Sequence, residues 1–258
     1  SQFVCRSTVG CGQRGNLCKI DKLRVRLGDK TFDFNWGGAC SLWDKGGYAR
    51  KLPNLCPNPF SEREALIEEI EQAAMERGNK TIAISEEFQT KSLFPFFVQF
   101  FYDLGFDLKF FKGGSQRYLK RGLEESNVQF CAPMQHFHGL ASEMVESDAD
   151  FIFFPMMRSG KFAKNEEYSL ICPIVQSSAD ILKHDLKITP KRLVSPVIDF
   201  GPENYESKAF TQSCLKLANR LGVNQVLAKQ ALAAAIVSQR RFEESLLEIG
   251  RRALDFAK

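Results

Sequence analysis

The chain has 258 residues, of which 26% are charged and 44% hydrophobic, with a formal net charge of +4. This length buries a sizeable core, either as one large domain or as a domain with a small module attached. A charge this mild, with no Lys/Arg run or basic-aromatic stripe, gives no footprint for nucleic acid. No apolar stretch is long enough to span a bilayer, so no membrane is implied.

Five of the 8 cysteines (Cys5, Cys11, Cys18, Cys40 and Cys56) fall in the first 56 residues, and Cys131, Cys172 and Cys214 are spread over the rest. The N-terminus shows no signal-peptide h-region. Eight thiols then point to a reducing, cytoplasmic setting in which they serve metals, redox work or packing instead of disulfides. The opening Ser-Gln-Phe carries no initiator Met, which points to a piece of a longer polypeptide.

The cysteine distribution divides the chain into residues 1–59, a Cys-rich metal-binding module with its linker, and residues 60–258, a larger domain. In the first part an alternating strand over 23–27, a Gly28-Asp29 turn and a second strand over 31–34 form a hairpin. Cys5, Cys11 and Cys18 precede the hairpin, and Cys40 follows it behind Gly37-Gly38. Four thiolates suffice for a tetrahedral zinc or an iron–sulfur cluster. The irregular spacing also suits a loose extension with incidental thiols. A Gly/Pro/Asn-rich linker over 46–59 leads to Ser61-Glu62-Arg63-Glu64, which has the pattern of a capping box opening a helix to Gly78.

From residue 80 the pattern alternates. Strands are predicted over 81–84, 106–111, 128–131, 151–155, 168–172 and 193–200, and helices over 93–104, 116–125, 138–147 and 178–185. Strands separated by helices of this length define βαβ units. The predicted fold is α/β: a Rossmann-like, mostly parallel sheet with helices on both faces. The chain then closes with a helical hairpin, whose first arm bears the stripe Phe210, Cys214, Leu217 and Leu221, and whose second bears Phe242, Leu246, Ile249 and Ala253. Cys214 on that stripe reads as core.

In such a sheet ligands bind beyond the carboxyl ends of the strands. That edge is expected to carry Ser85-Glu86-Glu87, Cys131, the Pro155–Arg158 stretch and Cys172. Two apolar runs end in Cys131-Ala132-Pro133 and Cys172-Pro173, which suggests one shared crevice. Its sulfurs could hold iron or act as redox groups, or they could be small buried hydrophobes. His136 and His138 share a face on a strand and diverge on a helix, and either could be a ligand, an acid/base or a structural histidine. His184, near a helix end, reads as a partner for the dipole. The phosphate-loop, nucleophile-elbow and H-E-x-x-H motifs are all missing from the sequence.

The stretch from Leu93-Phe94-Pro95-Phe96-Phe97 to Leu104-Gly105-Phe106 is followed by Val128-Gln129-Phe130-Cys131-Ala132-Pro133, His138-Gly139, the run from Asp150 to Pro155 and Cys172-Pro173-Ile174-Val175. This ordered set resembles the uncharacterised domain of large CoA-enzyme activase proteins, itself similar to the cluster-bearing subunits of 2-hydroxyacyl-CoA dehydratases. The resemblance implies an accessory iron–sulfur or metal-binding domain in electron transfer, within anaerobic metabolism. It implies Cys131, Cys172 and His138 as cofactor-binding residues, and an activase ATPase portion or other domains of a larger polypeptide as partners, with an acyl-CoA as a candidate ligand. The chain departs from the expected pattern at Gln135 and Met156. The rival reading is a non-enzymatic interaction module stabilised by a structural zinc on Cys5, Cys11, Cys18 and Cys40. A third is a relative whose cysteines are structural only.

Overall fold

The structure, a computed structural model, describes residues 1–6, 17–38, 42–43, 57–74, 76 and 78–257. The chain separates into two compact units, Ser1–Cys56 and Pro57–Lys258.

The first unit is a three-stranded antiparallel sheet of β1 (Gln2–Val4), β2 (Lys19–Leu27) and β3 (Lys30–Trp36), in the order β1-β2-β3. The turn is the expected Gly28-Asp29, and Gly28 takes φ +61° at its first central position, as a type II′ turn requires. Asp33 accepts from Arg24 at 2.6 Å and lies 2.9 Å from Lys22, and these two cations hold its carboxyl well below the usual carboxylate range.

The second unit opens with helix α1 (Pro59–Ala73). This helix starts a turn before the predicted capping box. Asn58 is the N-cap, its side chain accepting from the Ser61 N–H at 3.2 Å, and Pro59 occupies the first turn. Asn caps strongly and Pro is already shaped for N1, so together they outcompete Ser61. Most of the predicted 46–59 linker lies outside the described residues.

Strand β4 (Thr81–Ser85), helix α2 (Phe94–Asp103) and strand β5 (Asp107–Phe111) form the first βαβ unit. Helices α3 (Gln116–Glu125) and α4 (Ala132–Glu146) then follow with no strand between them. The predicted strand over 128–131 is instead an irregular link. Its polar groups are taken locally: Asn127 donates to Asp185 at 2.7 Å, and the Phe130 N–H lies 2.8 Å from the Gln135 side chain. Strand β6 (Phe151–Phe153) passes through Phe154-Pro155 into β7 (Met156–Met157). Helix α5 (Pro173–Asp185) leads to β8 (Leu193–Val194) and β9 (Val197–Ile198). The predicted strand over 168–172 reduces to one bridge, Ser159 to Leu170, because β8 occupies the position beside β6. Helices α6 (Lys208–Arg220) and α7 (Gln225–Ala257) form the closing hairpin.

The main sheet has the order β5-β4-β6-β8, and all its pairings are parallel. The β7–β9 pair prolongs β6 and β8. The amides of Ile152, Phe154, Met156 and Arg158 donate to the carbonyls of Arg192, Val194, Pro196 and Ile198, at 2.8 to 3.0 Å, as one unbroken ladder. Strand side chains alternate between faces. Ile82, Ile84, Phe153 and Val194 therefore join α1, α2, α6 and α7 in one core, while Ala83, Ile152, Phe154 and Leu193 join α4 and α5 in the other. Helix α2 contributes an aromatic slab, with Phe97 and Phe101 edge-on to Phe153 at 4.7 and 4.8 Å. This is the α/β architecture with helices on both faces that the alternation predicts.

Helices α3 and α4 touch backbone to backbone at Gly122 and Gly139. A Cβ at Gly122 would overlap the Gln135 carbonyl oxygen, and one at Gly139 would overlap that of Tyr118. Gly122→Ala is expected to cost about 3 kcal/mol of stability, since neither backbone can give way. Gly250→Ala on α7 meets nothing within 4 Å and should add about 0.5–1 kcal/mol. Urea unfolding of the two variants checks both signs.

Candidate functional site

Strand β4 has β5 on one side and β6 on the other, so the direction of winding reverses between β4 and β6. Beyond their carboxyl ends lies the topological switch point, where open α/β sheets bind ligands. Proline deepens the division there. The even-numbered amides of β6–β7 point to β8–β9, so the odd-numbered positions face β4. Pro155 has no N–H to offer on that side. The β4–β6 pairing ends at Ala83 and Ile152, and the two strands part.

The turn leaving β4 is Ser85 to Thr90. Phe88 takes φ +57°, a conformation that a bulky residue holds only when its surroundings impose it. What imposes it is an aromatic chain: Phe88 stacks on Phe137 at 5.2 Å, and Phe137 meets Phe154 edge-on at 5.5 Å. Thr90 Oγ1 lies 2.6 Å from the Ser85 carbonyl oxygen and closes the turn. Glu86 is buried; Arg63 donates to it at 2.7 Å and Lys91 lies at 3.8 Å. Burial pushes its carboxyl up, against the pull of Arg63. Glu87 lies over Gly113, where a side chain would collide with its carboxylate. Gln89 is only 6% exposed, and neither end of its amide has a partner among the described residues. Polar groups buried this way usually cost stability and mark function. Ser85-Glu86-Glu87 are the residues the sequence predicts at this edge. Phe88 and Gln89 are not among them, since nothing in the local pattern signals a left-handed Phe or an orphaned amide.

Cys131 and Cys172 are the N-cap residues of α4 and α5, each followed by Pro in the first turn, and both are exposed. Neither sulfur accepts a capping hydrogen bond from its helix. Their helices begin directly after them, some residues earlier than the predicted starts at 138 and 178. His138 lies two turns further along α4, an axial distance of about 10 Å, and is 1% exposed. Its Nε2 lies 3.3 Å from Asp185 Oδ2, and its Nδ1 has no partner among the described residues. His136, on the diverging face, meets Tyr118 edge-on at 5.7 Å. His184 lies exposed in the last turn of α5. Cys214 is fully buried, and burial pushes its thiol up, as befits a core residue.

In the first unit the Cys5 N–H donates to the Cys18 carbonyl at 2.8 Å, and Trp43 Nε1–H donates to Cys5 Sγ at 3.1 Å. Gly38, at φ +95°, packs against Cys18. Cys11, Cys40 and Cys56 lie outside the described residues. Among the described residues no group of three or more His, Cys, Asp or Glu is placed to hold a metal ion. The Asn127–Phe130 link that leads into Cys131 lies against Asp180 and Asp185 in the C-terminal half of α5, whereas Cys172 caps the start of that helix, so the two sulfurs sit toward its opposite ends.

These features define a doubly wound α/β domain with its switch point between β4 and β6. The family model for the CoA enzyme activase uncharacterised domain matches residues 81–258, from the first residue of β4 onward, and the chain belongs to that family. No curated protein matches the chain. No helix among the described residues is long and apolar enough to cross a membrane.

Burial pushes the Asp185 carboxyl up, but hydrogen bonds from Asn127, His184 and His138 outweigh it and hold the group below its ordinary value. A carboxyl with a lowered folded-state pKa stabilises above its unfolded pKa of about 4 and loses that contribution as the pH falls from there through the lower folded-state value. Asp185→Asn should therefore destabilise by about 1 kcal/mol at pH 7 and show a shallower loss toward pH 3. Urea unfolding at the two pH values reads both effects. Gln89→Leu should raise stability by about 1 kcal/mol at either pH, because it removes an unpaired buried amide.

Proposed function

We propose that this member of the CoA enzyme activase family is an accessory iron–sulfur or metal-binding domain. It would serve a CoA-enzyme activase/2-hydroxyacyl-CoA dehydratase-type system and take part in electron transfer. The observation that carries this reading is the matched disposition of Cys131 and Cys172. Both are exposed at the N-caps of α4 and α5, both are free of any capping bond, and both precede a proline. The partial positive charge of a helix N-terminus favours an anionic sulfur. A cluster bound at either cysteine draws its remaining ligands from elsewhere, and the activase ATPase portion or other domains of a larger polypeptide are the natural source. An acyl-CoA is the candidate small ligand.

Anaerobic purification of the larger polypeptide, or of this chain together with the activase portion, should yield a coloured protein containing iron and acid-labile sulfide, with both reduced by Cys131→Ser or Cys172→Ser. A colourless, iron-free protein overturns the reading. The contacts around Cys5 favour a second one, an interaction module stabilised by zinc. Cys5 and Cys18 are joined through their backbones at 2.8 Å, and Gly38 packs closely against Cys18. With Cys11 and Cys40 they would bind one zinc, and chelation would lower the melting temperature of the N-terminal unit. Metal analysis that finds no zinc removes this second reading.

A further inference from the structure

A second concave site lies between strand β9 and helix α6. It has a volume of about 520 Å³ and is lined by Arg158, Lys216 and Arg220, with Asp199 as the sole carboxylate among its lining residues. Three cations against one carboxylate leave a surplus of two positive charges. That carboxylate is already engaged, since Asp199 accepts from Ser159 Oγ at 2.6 Å and lies 3.5 Å from Arg158. Lys216 makes no ion pair among the described residues, although it faces the cleft.

Backbone donors face the same space. The even-numbered groups of β8–β9 are spent on β6–β7, so the odd-numbered ones point outward, toward α6. Two of these are held: Arg220 donates to the Leu193 carbonyl at 2.9 Å, and the Asp199 N–H donates to Ser213 Oγ at 3.3 Å. Between them the alternation turns the N–H groups of Ser195 and Val197 toward the cleft. Ser213 accepts from Asp199 and so keeps its own hydroxyl hydrogen free to donate. Pro196 and Val197 supply an apolar floor.

We propose that this cleft binds a phosphate-bearing small molecule of nucleotide size. The phosphates would lie against Lys216, Arg158 and the outward amides of the strand edge, and the organic part would lie on the apolar floor. Two flexible cations, backbone N–H groups and a hydroxyl are the donor set that recognises phosphate, and the volume falls in the range of small-molecule sites. The strand edge is available because, among the described residues, β9 has a strand neighbour only on its β7 side. Neither Cys131, Cys172 nor any residue of the β4 turn lines this cleft.

Calorimetric titration of the full 258-residue chain at low salt, with pyrophosphate and with ADP, tests the assignment. Both should bind, and ADP should bind more tightly because it also covers the apolar floor. Arg158→Ala and Lys216→Ala should each weaken binding by about tenfold, the value of one charge-assisted contact. Lys229→Ala, on α7 and outside the cleft, should leave it unchanged. Absence of binding by both probes overturns the proposal. So does equal weakening by Lys229→Ala, which would mark the effect as general surface charge. Thermal melting of each variant confirms that a loss of binding is not a loss of fold.

Discussion

The ladder that runs from the Ile152 amide to the Ile198 carbonyl organises the larger unit. Strands as short as β6, β7, β8 and β9 would be marginal alone. Joined end to end they make one parallel pair that outreaches β4 and β5. Because its hydrogen bonds use only the even-numbered positions, Pro155 can interrupt one flank without breaking the other. The sheet thus stays continuous on the β8 side and opens on the β4 side. The parting of β4 and β6 at the switch point and the outward edge of β9 both follow from this arithmetic of odd and even residues.

The turn after β4 shows how core packing holds a functional edge in an unfavourable shape. Phe88 would leave the left-handed region if it could. Its ring is held in the stack with Phe137, which in turn braces Phe154 at the end of β6. The two strand ends at the switch point are therefore linked through α4, and the buried Gln89 amide is carried along with them. Gln239 plays the equivalent part on the opposite face. It accepts from the Phe96 N–H at 3.1 Å and donates to the Ser92 carbonyl at 2.8 Å, so the closing helix caps the start of α2.

Much of this was legible in the sequence, and what was missed has identifiable causes. Residues 116–125 and 94–103 read as helices because composition and breakers agreed there. The run Phe151-Ile152-Phe153 read as a buried parallel strand because both faces are apolar. Residues 128–131 failed because Val128, Phe130 and Cys131 look like a strand locally, yet the Phe130 N–H goes to the Gln135 side chain and the Cys131 carbonyl accepts from the Gln135 N–H as α4 begins. Residues 168–172 failed because a sheet position is filled by competition, and β8 held it. The helix N-caps at Cys131 and Cys172 were hidden because cysteine is a poor capping residue, so only the following prolines announced them. Family membership was carried by an ordered set of short motifs, which survives such local errors.

The contact of Gly122 with Gly139 has a further consequence for Cys131. Most helices find their height against a neighbour through side chains, whose rotamers adjust by fractions of an ångström. Here two peptide backbones meet directly, so α4 is seated as a part is seated against a machined stop. The sulfur at its leading end inherits that tolerance: its position relative to α3 is referenced to rigid bonds. Repacking either core should leave it where it is.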